Sequence, residues 1–582
     1  MAAKKRVCII GSGVSGLPAI KSCLEEGLEP VCFEKTGDIG GLWNYREELK
    51  DEATVMRSTV VNTSKEVMAY SDFPPPKDWP NFMHNSLVQR YIEMYADAFD
   101  LRRHIRFNTI VAKVRKAPDW DATGNWTVEL SDGSSDTFNA VFVCTGHHAQ
   151  AYLPHFEGLD TFPGQVLHAQ QYRHAEGFEK KRVLIVGVGN SAIDTAIELG
   201  NVAEQVYLST RSGAWVWNRV GSYGMPFDIN FLRRCHMHTG NMLPKFLVND
   251  YMEHHLNFRL DHELYGIKPK HHFLAQHPTV NDLLPNAISS GRVVIKDDIK
   301  LFAGSTAHFV DGSQVSDVDV VILATGYSFS FPFLEPESLI PVEDNQIDLY
   351  KYVFPPDMPH GSLAIIGLVQ PIGSLAPMSE LQCRWAAALL ANRLPPLPSK
   401  ERMLRDIEEK RSAMQQRYYK SRRHTLQVES LPYCDELAEQ VGCKPNLKQL
   451  FWRDIKLWNA LYNGPNVPYV YRLGGANSWP GARSAVLSVM ERIWAPLHTR
   501  SGPLTLLKRS SHLRANLVFS GRFLLLFFFV AAFSYAFTWM SRANDGAPLG
   551  LGVFTGWMIL YAFLLGFLVQ WLDIRLDFPS LL

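Results

Sequence analysis

Two strand–glycine turn–helix patterns constrain the fold of this 582-residue chain more than any other feature. The glycine turns occupy 11–16 and 187–192, and each stands between an apolar run and a helical pattern. A further apolar run follows each helix. The four apolar runs lie at 5–10, 29–33, 181–186 and 205–210. Strands and helices that alternate around such turns form doubly wound parallel sheets, so the chain is predicted to have an α/β fold with two Rossmann-like domains.

The first turn contains three glycines with separate tasks. Gly11 allows the tight turn, Gly13 lets the backbone approach a pyrophosphate, and Gly16 brings the helix against the strand. The start of the helix presents free N–H groups to the phosphates. Glu34 stands at the end of the second strand, where a carboxylate accepts hydrogen bonds from ribose hydroxyls. The glycine pair in the loop 38–43 fits close contact with an extended dinucleotide, so this turn is predicted to bind FAD.

The second turn differs at the positions that select its nucleotide. Ala192 takes the place of the third glycine, and no acidic residue follows the second strand to bind a ribose 2′-hydroxyl. The strand ends instead at Thr210 and Arg211. A guanidinium makes charge-assisted hydrogen bonds to a 2′-phosphate, so this turn is predicted to bind NADPH. The alternative is a surface arginine without a ligand.

The charge balance and the cysteines argue against two other classes of protein, nucleic-acid binders and disulfide reductases. The 58 basic and 58 acidic residues balance, which argues against a nucleic-acid partner. Two nucleotide turns in one chain imply that a hydride passes from nicotinamide to flavin. A disulfide reductase of this architecture needs a redox-active cysteine pair, and the eight cysteines include no C-x-x-C pair. Molecular oxygen is therefore the predicted electron acceptor.

The segment between the two turns carries a longer motif. Residues 162–172 match the pattern F-x-G-x-x-x-H-x-x-x-Y, and ATGY and NTSKE occur at 324–327 and 62–66. Together these motifs resemble the animal flavin-containing monooxygenases, which are class B flavoprotein monooxygenases, from about residue 4 to 500. The fixed positions of the long motif are Phe162, Gly164, His168 and Tyr172.

The resemblance implies a mechanism. NADPH reduces FAD, oxygen adds at flavin C4a, and the hydroperoxide is held in a dry pocket while NADP⁺ stays bound. A soft nucleophilic nitrogen or sulfur atom of a small xenobiotic-like molecule then takes the distal oxygen. Asn62 matches the family's active-site asparagine, whose amide both donates and accepts hydrogen bonds near the two cofactors. His168 and Tyr172 are expected to position the linker between the domains, or simply to pack.

The glycine turns and the resemblance together assign residues to each cofactor, and Asn62 belongs to both sets as the predicted catalytic residue. FAD is expected to contact Gly11, Ser12, Gly13, Val14, Ser15, Gly16, Glu34, Gly41, Leu42, Trp43, Asn62, Thr63 and Gln370. NADPH is expected to contact Val61, Asn62, Gly187, Gly189, Asn190, Ser191, Ala192, Ile193, Asp194, Thr210 and Arg211.

Three alternative functions stay open. The segments 367–371 and 380–385 resemble the family form known for Baeyer–Villiger oxygenation of ketones more than the drug-oxygenating forms. An NADPH oxidase that releases hydrogen peroxide would share the same architecture. A membrane-tethered nucleotide-binding scaffold without catalysis is the alternative outside enzymes. The intact glycine turns, with Glu34, Asn62 and Arg211, argue against a scaffold.

The order of these motifs predicts how the domains follow one another. The FAD-binding domain is expected to comprise 1–155 and 326–500, with helices in its second part, and the NADPH-binding domain at 156–325 is inserted between them. A helical insertion at about 220–300 is expected to cover the substrate tunnel. Histidines crowd this insertion, but their spacing matches no zinc pattern, so no metal site is predicted.

The C-terminal tail, 501–582, is expected to be helical and associated with a membrane. It contains two uncharged segments at 523–540 and 549–571, and a span needs about 20 apolar residues. Basic residues before the first segment suit the cytosolic face of a bilayer. We therefore expect a protein of the endoplasmic reticulum membrane whose catalytic body is cytosolic. One or two spans, and a monomer or a homo-oligomer, stay open.

Overall fold

The computed structural model describes residues 4–48, 52–148, 150–418 and 425–500. All of these residues except Arg500 belong to one compact unit, Met1–Thr499. Within these four ranges, no helix combines the length and the apolar character that a membrane crossing requires. The tail at 501–582, on which the prediction of a membrane anchor rests, lies outside the described residues.

The first glycine turn belongs to a five-stranded parallel sheet. Its central strand, Arg6–Ile10, is buried on both faces, which explains its continuous apolar sequence. Helix Gly16–Glu25 follows the turn and packs against helix Leu375–Leu390. The strands, in spatial order, are Leu363–Ile365, Ala140–Val143, Arg6–Ile10, Glu29–Phe33 and Ile105–Arg106.

The second glycine turn belongs to a second five-stranded parallel sheet. Helix Asn190–Leu199 follows the turn and packs on the sheet through Ala192, Ile193 and Ala196, which are fully buried. The strands, in spatial order, are Val293–Lys296, Gln205–Ser209, Arg182–Val186, Val320–Leu323 and Gln165–His168. The prediction of an α/β fold with two Rossmann-like sheets is confirmed, and each predicted strand is found within one or two residues of its expected limits.

Smaller sheets surround the two large ones. A four-stranded sheet comprises Leu334–Glu335, Val111–Lys116, Trp126–Leu130 and Ser135–Phe138. A three-stranded antiparallel sheet comprises Ile299–Ala303, Thr306–Phe309 and Gln314–Val315. Three strand pairs join Val216–Trp217 to Thr279–Val280, Gln150–Ala151 to Tyr327–Ser328, and Gln370–Ile372 to Gln427–Glu429.

The expected helical insertion contains Phe227–Phe231, Arg234–Met242, Lys245–Arg259 and Leu284–Ser289. A strongly charged stretch after residue 400 forms helix Lys400–Arg417, in which only Met403 and Ile407 are buried. The other α-helices are Lys65–Met68, Asn85–Ala98, Trp120–Thr123, Ser430–Val441, Leu447–Arg453, Ile455–Tyr462 and Ala482–Trp494.

A buried ion network attaches the C-terminal helical region to the first sheet. The Arg472 side chain is 1% exposed and donates to Glu380, 2.9 Å away, and lies 3.1 Å from Asp72. Glu380 also accepts from the backbone N–H and the hydroxyl of Ser71. Burial raises the pKa of the Glu380 carboxyl, but Arg472 and nearby cations outweigh it and hold that pKa below its ordinary value. Loss of one partner would leave a buried charge uncompensated, at a cost of about 3–5 kcal/mol.

Candidate flavin and nicotinamide nucleotide site

The three glycines of the first turn are required for different reasons. Gly11 has φ +98°, and a Cβ there would lie 2.8 Å from the carbonyl oxygen of Cys144. A Cβ on Gly16 would lie 1.9 Å from the carbonyl oxygen of Gly11. At Gly13 the nearest atom would be the Cα of Gly41 at 3.6 Å, an ordinary contact. The fold itself therefore requires Gly11 and Gly16, whereas the space beside Gly13 fits the approach of a pyrophosphate.

The loop predicted to contact FAD lies directly on this turn. Gly40 donates its N–H to the carbonyl of Ser12 at 3.2 Å, and both Gly40 and Gly41 have positive φ. A Cβ on Gly41 would lie 3.2 Å from the Cα of Gly13. A short 3₁₀ helix, Gly41–Trp43, begins there. The loop and the first turn are therefore in backbone contact, which fits the prediction that both contact FAD.

Glu34 is buried at the end of strand Glu29–Phe33 and is fixed by backbone groups. One carboxylate oxygen accepts from the N–H of Ser12 at 2.8 Å, and the other accepts from the N–H of Thr36 at 2.9 Å. The Ser12 and Thr36 hydroxyls also donate to it. The carboxylate is thus held at the edge of the turn, and the two rotatable hydroxyls can give up their bonds to a ribose.

The second turn repeats the arrangement. Gly187 has φ +122°, and a Cβ there would lie 2.5 Å from the carbonyl oxygen of Ala324. Around Gly189, no described residue would come within 4 Å of an added Cβ. The N-cap of helix Asn190–Leu199 has no side-chain hydrogen bond from the described residues. The first N–H groups of this helix remain available for an anion, which fits the phosphates of a nucleotide.

Arg211, the residue predicted to bind a 2′-phosphate, has an exposed side chain next to a fixed stretch of backbone. Strand Gln205–Ser209 ends two residues before it, and the backbone N–H of Thr210 is bound to the carbonyl of Lys296 at 3.0 Å. The Thr210 hydroxyl accepts from the N–H of Gly213, also at 3.0 Å. The backbone is therefore fixed while the Arg211 side chain is exposed. A fixed backbone and an exposed guanidinium fit the predicted selection of NADPH.

Asn62 contacts Arg219, a residue that no sequence motif indicates. Its amide oxygen accepts from Nε of Arg219 at 3.0 Å. The Arg219 guanidinium lies 3.8 Å from Asp194 and 3.9 Å from Asp282. Asp194 also accepts from the amide of Asn281 at 2.9 Å. The structure therefore directs the Asp194 carboxylate to Arg219 and Asn281, although the sequence assigned it to NADPH.

The residues after Asn62 are anchored by buried charges. Asp228, which is fully buried, accepts from the backbone N–H of Ser64 at 2.6 Å. Lys65 donates to the carbonyls of Lys77 and Trp79, each at 2.6 Å. Glu66 accepts from the Tyr469 hydroxyl and from the Arg492 guanidinium. The loop that carries Asn62 is thus held from several elements, although the sequence analysis gave these neighbours no role.

Asp228 predicts a specific pH dependence of stability. Burial raises the pKa of its carboxyl from 3.8 to about 6. Between these values the folded chain keeps a proton that the unfolded chain releases, so the free energy of unfolding falls as pH rises through this window. Asp228→Asn removes the dependence. The stability advantage of the wild type over this variant should therefore grow by about 2–3 kcal/mol from neutral pH to pH 4, measured by chemical denaturation. An advantage that is constant with pH would contradict the assignment.

The long motif acts through packing. His168 lies at the end of strand Gln165–His168, accepts from the N–H of Gln170, and donates from its other ring nitrogen to the carbonyl of Gly326 at 3.1 Å. Burial lowers the pKa of His168, which fits this neutral form. A Cβ on Gly164 would lie 2.3 Å from the carbonyl oxygen of Asp319. Phe162 and Tyr172 are buried in the two cores of this sheet. The geometry fits the predicted positioning and packing roles.

The segment after strand Leu363–Ile365 touches the far end of the first turn. Gly367 has φ +77°, and a Cβ there would lie 2.3 Å from the hydroxyl of Ser15. Its N–H donates to the side-chain oxygen of Gln382 at 2.7 Å. Gln370, three residues on, is exposed and accepts from the amide of Gln427. This segment therefore borders the predicted FAD site.

The histidine-rich insertion has ordinary hydrogen bonds. His262 accepts from the N–H of Val216, and its other ring nitrogen lies 2.8 Å from the side-chain oxygen of Asn257. His272 lies 3.0 Å from Glu253. In the described part of the chain, no three histidine, cysteine, aspartate or glutamate side chains form a group that could hold a metal ion.

Two parallel sheets, each with a glycine turn at its carboxyl edge, define a class of protein: an oxidoreductase that uses both FAD and a nicotinamide nucleotide. The turns fit the cofactors because the fold itself does not require glycine at two of their positions. An added Cβ would meet no atom closer than 3.6 Å at Gly13, and no described atom within 4 Å at Gly189. The family follows from comparison with known proteins.

The chain belongs to the flavin-binding monooxygenase-like family, whose model matches residues 4–536. It is therefore a flavoprotein monooxygenase that uses FAD and NADPH. It is 47% identical to human flavin-containing monooxygenase 5 over 538 residues, which cover 91% of this chain and 99% of the relative. It is 44% identical to dimethylaniline monooxygenase (N-oxide-forming) 2 of Oryctolagus cuniculus, with coverage of 92% and 99%.

Solved structures show the same fold. The S-allyl-L-cysteine S-oxygenase from Allium sativum superposes with a TM-score of 0.58 at 24% identity, covering 84% of this chain and 99% of the other. A steroid monooxygenase bound to NADP superposes with a TM-score of 0.57 at 19% identity, covering 75% and 97%. At these identities the likeness concerns the fold.

Proposed function

We propose that this monooxygenase oxygenates soft nucleophilic nitrogen or sulfur atoms of small xenobiotic-like molecules. One substrate molecule, one O₂, one NADPH and one proton give the oxygenated substrate, NADP⁺ and water. The observation that carries the proposal is the contact of Asn62 with Arg219, which holds the amide oxygen at 3.0 Å and also lies 3.8 Å from Asp194 on the helix after the second turn. The name of one relative, a dimethylaniline monooxygenase that forms N-oxides, supports this substrate class.

FAD supplies the reaction with oxygen, so the chain needs few acid–base groups. Its own residues bind, orient and exclude water. The Gly11–Gly16 turn and Glu34 would hold the adenosine and pyrophosphate of FAD, and Thr210 and Arg211 would hold the NADPH adenosine. Asn62 would donate or accept a hydrogen bond at the point where the cofactors meet.

Baeyer–Villiger oxygenation of ketones is the second candidate, because the Arg219 cation lies beside Asn62. A ketone requires an anionic oxygen nucleophile, which a positive site would stabilise. Asp194 and Asp282, however, lie 3.8 and 3.9 Å from the guanidinium and make the local charge sum negative. This balance favours transfer of oxygen to nitrogen or sulfur. The name of human flavin-containing monooxygenase 5 does not distinguish the two reactions.

The test offers a sulfide and a ketone separately to the purified full-length protein and measures NADPH, product and hydrogen peroxide. We expect sulfoxide to match the NADPH consumed, with little ester from the ketone. Asn62→Ala is expected to retain FAD while hydrogen peroxide replaces most of the sulfoxide. More ester than sulfoxide would favour the Baeyer–Villiger reaction. Stoichiometric peroxide from the wild type would favour an NADPH oxidase, and no NADPH consumption would favour a binding scaffold.

We also propose that the protein belongs to the endoplasmic reticulum membrane, with a cytosolic catalytic body and a C-terminal membrane tail. The proposal rests on the uncharged segments 523–540 and 549–571 and on the basic residues before them. A homo-oligomer is compatible with it. Carbonate extraction of membranes that contain the full chain and a chain ending at Arg500 would test the tail. Retention of the full chain alone is expected, and equal extraction of both would contradict it.

A further inference from the structure

A closed loop of the nucleotide domain contacts the Asn62 segment. It runs from Arg219 to Asp228 and is closed by two backbone hydrogen bonds. The N–H of Phe227 donates to the carbonyl of Arg219 at 2.9 Å, and the N–H of Gly221 donates to the carbonyl of Met225 at 2.8 Å. Because its ends are tied together, the side chains of Arg219 and Asp228 are held at a fixed separation.

At one end of the loop, Arg219 fixes which way the Asn62 amide is turned. A guanidinium has donors only, so the amide atom 3.0 Å from its Nε must be the oxygen. The amide NH₂ group therefore lies on the other side of the Asn62 side chain. It has no hydrogen bond to any residue that the structure describes, and Asn62 is partly exposed. An amide held in this way presents a donor to whatever binds beside it.

At the other end, Asp228 fixes the backbone of the same segment. One oxygen of its carboxylate accepts from the N–H of Ser64 at 2.6 Å, and the other accepts from the N–H of Ile229 at 2.9 Å. Both oxygens face backbone donors. At neutral pH, above the pKa of this carboxyl, both oxygens can accept, whereas an asparagine would turn an NH₂ group towards one of the two N–H groups.

We propose that the Arg219–Asp228 loop is a two-point clamp on Asn62–Ser64, and that Arg219 is a positioning residue that commits the Asn62 amide to donate a hydrogen bond to the bound cofactors. The proposal rests on the proposed function, because it assigns Asn62 to that site. The clamp is joined to the second nucleotide turn, since Asp194 lies on helix Asn190–Leu199 and contacts Arg219. Binding of NADP⁺ at the start of this helix would therefore affect the orientation of the Asn62 amide through Asp194 and Arg219.

Two measurements test the clamp without turnover, and both use the full-length protein loaded with FAD. One is binding of NADP⁺, followed through the flavin absorbance. The other is amide hydrogen exchange of the segment around Asn62–Ser64. Arg219→Met removes the donors, and Arg219→Lys keeps one of them. Arg292→Met is the matched control, because Arg292 makes three side-chain hydrogen bonds in the same domain and none of them reaches Asn62.

Arg219→Met is expected to bind NADP⁺ about 10-fold more weakly and to exchange the Asn62–Ser64 amides about 10-fold faster, which is the effect of one lost charged hydrogen bond. Arg219→Lys should restore most of both properties, and Arg292→Met should change neither. Values for Arg219→Met that equal those of the wild type, or a Lys variant as defective as the Met variant, would overturn the proposal.

Asn62→Asp tests the donor role of the amide NH₂ group separately from the hydrogen bond to Arg219. This variant can be measured even if the Arg219 variants do not fold. A carboxylate still accepts from Arg219, so amide exchange of the segment should stay slow, but it has no NH₂ to donate. NADP⁺ binding should therefore weaken about 10-fold. Unchanged NADP⁺ binding would overturn the donor role. Because neither measurement requires oxygenation of a substrate, both decide the clamp even if the wild type forms no sulfoxide.

Discussion

Gly13→Ala is expected to lower the affinity for FAD by at least about 100-fold while the chain still folds, a loss of about 3 kcal/mol. The new methyl group would meet the backbone Cα and N of Gly41, at 3.6 and 3.8 Å, which are ordinary contact distances, so the protein itself accommodates it. The same methyl occupies the space that a pyrophosphate needs. FAD content after purification and circular dichroism of the FAD-free chain measure the two effects separately.

Gly16→Ala is the matched comparison for this result. Its Cβ would lie 1.9 Å from the carbonyl oxygen of Gly11, so the turn itself cannot form. We expect this variant to lose its fold as well as FAD, seen as a poor yield of compact protein. If Gly13→Ala binds FAD as tightly as the wild type, the first turn does not hold the pyrophosphate and the assignment of the FAD site is wrong.

Arg211→Ala is expected to weaken the use of NADPH about 10- to 100-fold and to leave that of NADH nearly unchanged. The lost interaction is a charge-assisted hydrogen bond to the 2′-phosphate, worth about 1.5–3 kcal/mol. Only NADPH has this phosphate, so the ratio of kcat/KM for the two nucleotides measures the effect directly. Thr210 keeps the strand end in place through Gly213, so the substitution should not disturb the backbone.

Lys300→Ala is the control for the loss of one positive charge. Lys300 is exposed on strand Ile299–Ala303 of the same domain, and no hydrogen bond or ion pair among the described residues joins it to Arg211. It should change the use of both nucleotides little. If Arg211→Ala lowers kcat/KM for NADPH and for NADH to a similar extent, this arginine does not bind the 2′-phosphate.

Local patterns made the two sheets and the cofactor turns predictable. The strands that precede the turns, Arg6–Ile10 and Arg182–Val186, are short apolar runs, and Gly11, Gly16 and Gly187 cannot be replaced without clashes in the turns. The residues of a turn are neighbours in sequence, so the motif itself contains the geometry. Glu34 was predictable for the same reason, because it ends the next strand.

The contacts of Asn62 were not predictable, because they join distant parts of the chain. Arg219 follows Asn62 by 157 residues and Asp228 follows Ser64 by 164. Neither belongs to a motif, and a lone arginine or aspartate in a helical insertion has no local signal of its role. The contact of Asp194 with Arg219 was hidden for a related reason. Its place in the first turns of the helix after a glycine turn predicts a contact with the nucleotide, which stays a prediction, and gives no sign that its carboxylate lies 3.8 Å from Arg219.

The central claim is that two glycine turns bring NADPH and FAD together in one chain. It is tested most directly by mixing the FAD-containing full-length protein with NADPH in the absence of oxygen and following the visible absorbance of oxidised flavin. The absorbance should be lost with one equivalent of NADPH, much faster than with NADH, and should return when oxygen is admitted. A chain that takes up no FAD, or whose bound flavin stays oxidised in the presence of NADPH, would contradict the account.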